Sequence, residues 1–94
     1  MPTLRIEHAV PDFDSWKRAF DGDPADRRGS GVRRYRVLRS VEDPNFVMID
    51  LEFDSVGEAE GLLDKMRQVW SGPGKAFMRD PQARIAECVE AGER

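Results

Sequence analysis

Cysteine, histidine and tyrosine occur once each, as Cys88, His8 and Tyr35, and these scarcities exclude whole classes of chemistry. A single cysteine cannot close an intrachain disulfide, which removes the secreted disulfide scaffolds and makes a reducing cytoplasm the expected compartment. With no histidine near it in sequence, Cys88 reads as a structural thiol rather than a nucleophile. One histidine, one cysteine and scattered carboxylates do not supply a tetrahedral nitrogen or sulfur site, so no metal is expected. No apolar run approaches a membrane span, and the N-terminal stretch lacks a basic region followed by an apolar one; a membrane is not an expected partner. Gly72-Pro73-Gly74 follows a helical pattern instead of opening one, which argues against a phosphate-cradling loop. Positive charge is not in excess either: 15 Lys and Arg against 18 Asp and Glu leave a formal charge of −3, and nucleic acid is not expected as a partner.

What is present is a 94-residue chain, 35% charged and 39% hydrophobic, which reads as one domain over residues 1–94. A domain of this size buries only about 60–65% of its unfolded surface, so a second subunit is plausible on stability grounds alone. The charges are segregated. Arg27, Arg28, Arg33, Arg34, Arg36 and Arg39 follow one another with no acid between them, whereas Glu42 to Asp64 is mostly acidic. Neutralisation across a hairpin explains this pattern; an anion-binding patch is the alternative.

The hairpin is Val32 to Phe53, two alternating stretches joined at Asp43-Pro44-Asn45. Pairing Ser40 with Phe46 sets Val37 against Ile49 and Tyr35 against Leu51 on one face. The other face then pairs Leu38 with Met48, Arg36 with Asp50 and Arg34 with Glu52. A slip of one residue would destroy both the apolar face and the charge matching.

Before the hairpin, Thr3 to Val10 alternates as a strand with Leu4, Ile6 and His8 on one face. Asp12 can cap a helix that places Phe13, Trp16 and Phe20 along one side. Gly22 interrupts it, and Asp23-Pro24 resembles a second helical start that Gly29-Ser30-Gly31 stops. After the hairpin, Ser55 and Glu58 have capping-box spacing, followed by Ala59, Leu62, Leu63, Met66, Val69 and Trp70 at helical period. Lys75 to Asp80 reads as a loop or a short turn carrying Phe77 and Met78. A last strand is expected from about Ala83 to Val89, with Ile85 and Val89 inward and Glu87 on their face. The order β-α-β-β-α-β predicts an α+β, ferredoxin-like domain whose four-stranded antiparallel sheet has the order 4-1-3-2 and is covered on one face by two helices. The other face, bearing Met48, Leu38 and the charged pairs, is left for another subunit.

The run from His8-Ala9-Val10-Pro11-Asp12-Phe13-Asp14-Ser15-Trp16-Lys17 through Phe20-Asp21, the Asp43-Pro44-Asn45 turn, and Phe53-Asp54-Ser55 ahead of Ala59 resemble the dimeric α/β-barrel superfamily. The likeness is to small bacterial proteins near the antibiotic biosynthesis monooxygenase-like domains. It implies a homodimer whose two sheets form a barrel, with a pocket in each subunit between sheet and helices. Cofactor-independent oxygenases of this superfamily bind an aromatic substrate there and let the substrate itself activate oxygen. Trp70 corresponds loosely to the tryptophan of the haem-degrading members, but their first-strand asparagine and haem-ligating histidine have no counterpart here, which argues against haem degradation.

His8 is the candidate catalytic acid or base, being the side chain that titrates nearest neutrality. The alternative is a hydrogen-bonded core histidine; Glu87 would orient it if the two shared a face. Trp16, Phe20, Tyr35 and Trp70 are the candidate substrate-binding residues, an aromatic wall for a small flat ligand, and equally a closed core. Arg34, Arg36, Met48, Asp50 and Glu52 are the candidate dimer-interface residues. The expected function is cofactor-independent monooxygenation or cyclisation of a small aromatic or polyketide-like molecule; a non-catalytic binding or structural homodimer is the rival.

Overall fold

The computed structural model describes residues 1–23, 26–72 and 79–93. Its elements are β1 (Pro2–Ala9), α1 (Phe13–Asp21), β2 (Arg34–Arg39), β3 (Phe46–Glu52), α2 (Val56–Ser71) and β4 (Arg79–Glu87). The strands form one antiparallel sheet in the order β2-β3-β1-β4, so β1 and β3 are central, as predicted.

The hairpin register is the expected one: Tyr35 pairs with Leu51, Arg36 with Asp50, Val37 with Ile49 and Leu38 with Met48. Asp43 builds the turn, its carboxylate accepting from the Asn45 amide at 2.9 Å and its carbonyl from the Phe46 amide at 3.0 Å. Asn45 then ties the turn to the end of β1 and the start of α1, which lie beside it. Its carbonyl accepts from the Val10 amide at 2.8 Å, and its side-chain oxygen from the Phe13 amide at 3.1 Å. The start of α1 is thereby fixed against the hairpin.

Both helices begin as their sequences require. The Asp12 carboxylate accepts from the Ser15 amide at 3.0 Å, and the Ser55 hydroxyl from the Glu58 amide at 3.2 Å while donating to the Glu58 carboxylate at 3.1 Å. Against the inner sheet face they press Trp16 from α1 and Ala59, Leu62 and Leu63 from α2. Leu4, Ile6, Val47, Ile49, Leu51 and Phe53 complete the core from the two central strands. Truncating one of these large side chains costs about 2–5 kcal/mol.

Three expectations fail locally. After α1 ends at Asp21, residues 26–31 form successive turns instead of a second helix. Asp23 and Asp26 have φ of 53° and 51°, left-handed values that a continuing helix does not tolerate; Pro24 and Ala25 lie outside the described residues. The last strand begins at Arg79, not Ala83, and includes Pro81. A register shift between Glu7 and Ala9 of β1 and a φ of 51° at Asp80 mark a bulge, and an edge strand tolerates a proline there. Ala83 and Ile85 pack on the core as expected, but Val89 is 92% exposed. The strand ends at Glu87, which already faces Pro2, the first residue of β1, so Val89 has no strand beside it. Lys75 to Met78, including Phe77, lie outside the described residues.

Candidate functional site

His8 stands on the inner face of central β1, opposite Val47 of β3, and is 1% exposed. Nδ1 lies 3.2 Å from the Ala9 carbonyl oxygen, a contact that favours the tautomer with the proton on Nδ1 and leaves the lone pair on Nε2. Burial pushes its pKa below the ordinary histidine value, and the Ala9 carbonyl offsets only part of that, so the ring is uncharged at neutral pH. Glu87 does not assist it. In the β1–β4 register Glu87 faces Pro2, six residues and about 20 Å along the strand from His8.

The ring of Trp16 meets His8 edge-on, with centroids 5.8 Å apart and planes at 67°. Trp16 in turn stacks on Phe20 at 5.2 Å, and Phe20 meets Tyr35 edge-on at 5.8 Å. The fold thus joins four of the predicted residues in one ladder running from the buried centre to the β2 edge. Trp16 is 2% exposed at the inner end and Tyr35 52% exposed at the outer. The rings occupy one another's faces, so the aromatic wall is packed shut around Trp16. Trp70, on α2, makes no ring contact with the ladder; it rests half-buried on the core, its indole Nε1 enclosed without a hydrogen-bond partner among the described residues. A buried donor in that state is costly and open to any acceptor that can reach it.

Arg27 is the member of the ladder that periodicity could not reveal. Its guanidinium lies 3.9 Å from the Phe20 ring centroid and 5.0 Å from that of Tyr35, donates to the Phe20 carbonyl at 2.8 Å and pairs with Asp23 at 3.4 Å. The contact joins a loop to a helix and a strand. The unbroken arginine run was its only sequence signal.

The outer sheet face carries the predicted charge pairs. Arg34 reaches Glu52 at 2.9 Å, and Met48 is half-buried between them and the turn. Asp50 is 6% exposed, yet its main partner is Arg5 of β1, not Arg36. Arg5 grips both carboxylate oxygens, at 2.8 and 2.9 Å, while Arg36 stands at 3.4 Å. The Arg5 hydrogen bonds hold the Asp50 carboxyl below its ordinary range against the opposing effect of burial. Arg5 and Asp50 are direct neighbours in the β1–β3 register, the signal that would have found the pair. Around them lies an open concavity of about 590 Å³ whose walls include Thr3, Arg34, Arg36 and Glu52. A second concavity, of about 640 Å³, opens beside Arg28 and Tyr35. Among the described residues no group of three or more His, Cys, Asp or Glu could hold a metal ion, and no helix is long and apolar enough to cross a membrane.

No protein-family model matches the chain, and no curated protein sequence matches it. Solved structures do. A candidate antibiotic biosynthesis monooxygenase from Nitrosomonas europaea superposes with a TM-score of 0.74 at 16% identity, covering 96% of this chain and 100% of the other. SnoaB, a cofactor-independent oxygenase from Streptomyces nogalater, gives 0.78 at 12% identity over 96% and 94%. A dimeric ferredoxin-like protein from an uncultured marine organism gives 0.72 at 10% identity over 99% and 91%. The fold is therefore the ferredoxin-like arrangement of antibiotic biosynthesis monooxygenase-like proteins, as the sequence resemblance implied. Identities this low establish the fold alone.

Proposed function

We propose that the chain is a cytoplasmic homodimer that carries out cofactor-independent monooxygenation or cyclisation of a small aromatic or polyketide-like molecule between the sheet and the helices. The observation that carries this reading is His8: an uncharged imidazole on the central strand, its Nδ1 engaged by Ala9 and its ring against Trp16. A neutral Nε2 can take a proton from an activated aryl CH₂ or phenol. The resulting anion can pass electrons to dioxygen, and conversion of CH₂ to C=O places one oxygen atom in the product and releases the other as water. The protein's part is to desolvate the anion and orient it, with Trp16 and Phe20 flanking the ring, Tyr35 at the mouth and Trp70 offering its unpaired N–H from α2. Because His8 is 1% exposed, substrate entry requires α1 to shift and carry Trp16 aside. The likeness to SnoaB supports this chemistry, and the likeness to a dimeric ferredoxin-like protein supports the assembly. Arg34, Arg36, Met48, Asp50 and Glu52 lie together on the face that would meet the second subunit. The exposed, unpaired Cys88 fits a reducing compartment.

The test is oxygen consumption with anthrone-type substrates. His8→Gln should abolish turnover while leaving the circular dichroism spectrum unchanged; turnover at the wild-type rate refutes the role. A non-catalytic dimer is favoured by a different observation, the ring ladder that already fills its own faces. On that reading no substrate is turned over, and His8→Gln alters only stability.

A further inference from the structure

We propose that the concavity of about 640 Å³ beside the start of β2 is a second binding site, for a small aromatic monoanion that also carries a hydrogen-bond donor. It opens where the segment 26–33 passes the first turn of α2, and Arg27, Arg28, Gly31, Arg33, Tyr35 and Glu58 line it.

The three guanidiniums are in different states. Arg27 is committed to Asp23, to the Phe20 carbonyl and to the two ring faces. Arg33 is committed to Asp54. The Arg28 side chain has no hydrogen-bond or ion-pair partner among the described residues, so it is the cation left over. Glu58 stands close enough to Arg33 to feel its charge, and one of its carboxylate oxygens has no hydrogen bond among the described residues. Glu58 accepts from the Ser55 hydroxyl through Oε1, while Oε2 is turned toward Gly31. Gly31 has φ of 95°, and a Cβ built there would stand 2.4 Å from Glu58 Oε2. The φ of 95° is what favours glycine here, and the missing Cβ leaves room for the Glu58 carboxylate against the loop.

These leftovers define the ligand. Arg28 calls for one anionic group, and the Glu58 oxygen repels a second negative charge but accepts from a hydroxyl or ammonium. The Tyr35 ring, 52% exposed and backed by Arg27, supplies a face for stacking, and its hydroxyl has no partner among the described residues. A hydroxyaryl carboxylate satisfies all three.

The experiment is an NMR titration of the full chain with para-hydroxybenzoate, with phenol as the uncharged control. Para-hydroxybenzoate should shift the Arg28, Gly31 and Tyr35 resonances saturably and bind more tightly than phenol. Arg28→Gln should weaken it about tenfold, the worth of one charge-assisted bond, without changing phenol binding. Because the Arg28 side chain is exposed and has no partner among the described residues, this variant keeps the fold. His8→Gln should leave the affinity unchanged, which separates this site from the one proposed above. Absence of saturable binding, equal affinity for phenol, or an Arg28→Gln variant that binds as well as wild type overturns the assignment. A loss confined to His8→Gln also overturns it and moves the ligand to the core site.

Discussion

Asp50→Asn removes a charge from the middle of the sheet while keeping the side chain's shape, and the structure sets the size of the effect. Asp50 is 6% exposed and takes two short hydrogen bonds from Arg5 and a longer one from Arg36. Deleting one partner of a fully buried pair costs about 3–5 kcal/mol because the other charge is stranded. Here the stranded charges are not buried: the Arg5 and Arg36 side chains are 48% and 73% exposed, and water solvates them. What remains is the weakening of the Arg5 fork, about 1–2 kcal/mol, or a fall of several degrees in Tm for a domain of this size. The pH dependence gives the sharper check. The Asp50 pKa is lowered in the folded state, so the pair's contribution is fully present above the ordinary carboxylate range and disappears as pH falls through the folded-state value. Urea unfolding of wild type and variant should therefore differ at pH 7 and converge at strongly acidic pH. A deficit that persists unchanged in acid would mean that packing, not charge, was lost; no deficit at pH 7 would mean the pair does not stabilise the sheet. A double-mutant cycle should assign the larger coupling to Arg5 and the smaller to Arg36.

The His8 linkage has the opposite origin but the same direction. Its folded-state pKa is lowered by burial, so below about pH 6.5 the unfolded chain binds a proton that the folded chain refuses, and stability declines. Urea midpoints between pH 7.5 and 5.5 should show this slope in wild type and lose that component in His8→Gln; equal slopes would place His8 in contact with water. Trp16→Ala should destabilise by about 3–5 kcal/mol, because a 2% exposed indole contacting His8, Phe13 and Phe20 leaves a cavity. Denaturant melts check it, and a loss below about 1 kcal/mol would mean the ladder is loose enough to admit a ligand without cost.

Period-2 and period-3.6 patterning made most of the fold legible. The hairpin register could be written down because its two faces had independent requirements, apolar on one side and charge-matched on the other, and only one alignment met both. Both caps were visible because capping residues act within three positions of each other. What stayed hidden depended on contacts distant in sequence. Arg5 and Asp50 are 45 positions apart, and only a written β1–β3 register would have joined them. Arg27 looked like one of a row of solvated arginines until the fold set it over Phe20 and Tyr35. The β4 start was misplaced because a strand is expected to begin after Pro81, whereas a bulge at an edge accommodates the proline within it. For the candidate site, periodicity put His8 and the aromatic residues on one face but could not say that they would close on each other.

The two faces of the central strands are mechanically coupled through that register. On β1, Arg5 points outward and His8 inward, and both positions are fixed by the same ladder to β3, where Arg5 meets Asp50 and His8 meets Val47. A one-residue slip of β1 against β3 would turn His8 to the outer face and Arg5 toward the core, away from Asp50, which would stay outside. A guanidinium buried without Asp50 is so unfavourable that the slipped sheet is excluded, a penalty that adds to the loss of the apolar face. The Arg5–Asp50 pair therefore does for the register what Trp16 does for the histidine's surroundings. One fixes which face His8 occupies; the other keeps water from it. Asp50→Asn should accordingly leave His8 buried, since the charged Arg5 still disfavours the core, whereas Arg5→Leu removes that penalty against slippage and should expose His8 in a fraction of the molecules. The imidazole resonances report this directly. A single histidine signal with a lowered pKa in Arg5→Leu would show that the apolar pattern alone sets the register; a second signal titrating near the ordinary value is the outcome the charge pair's role requires.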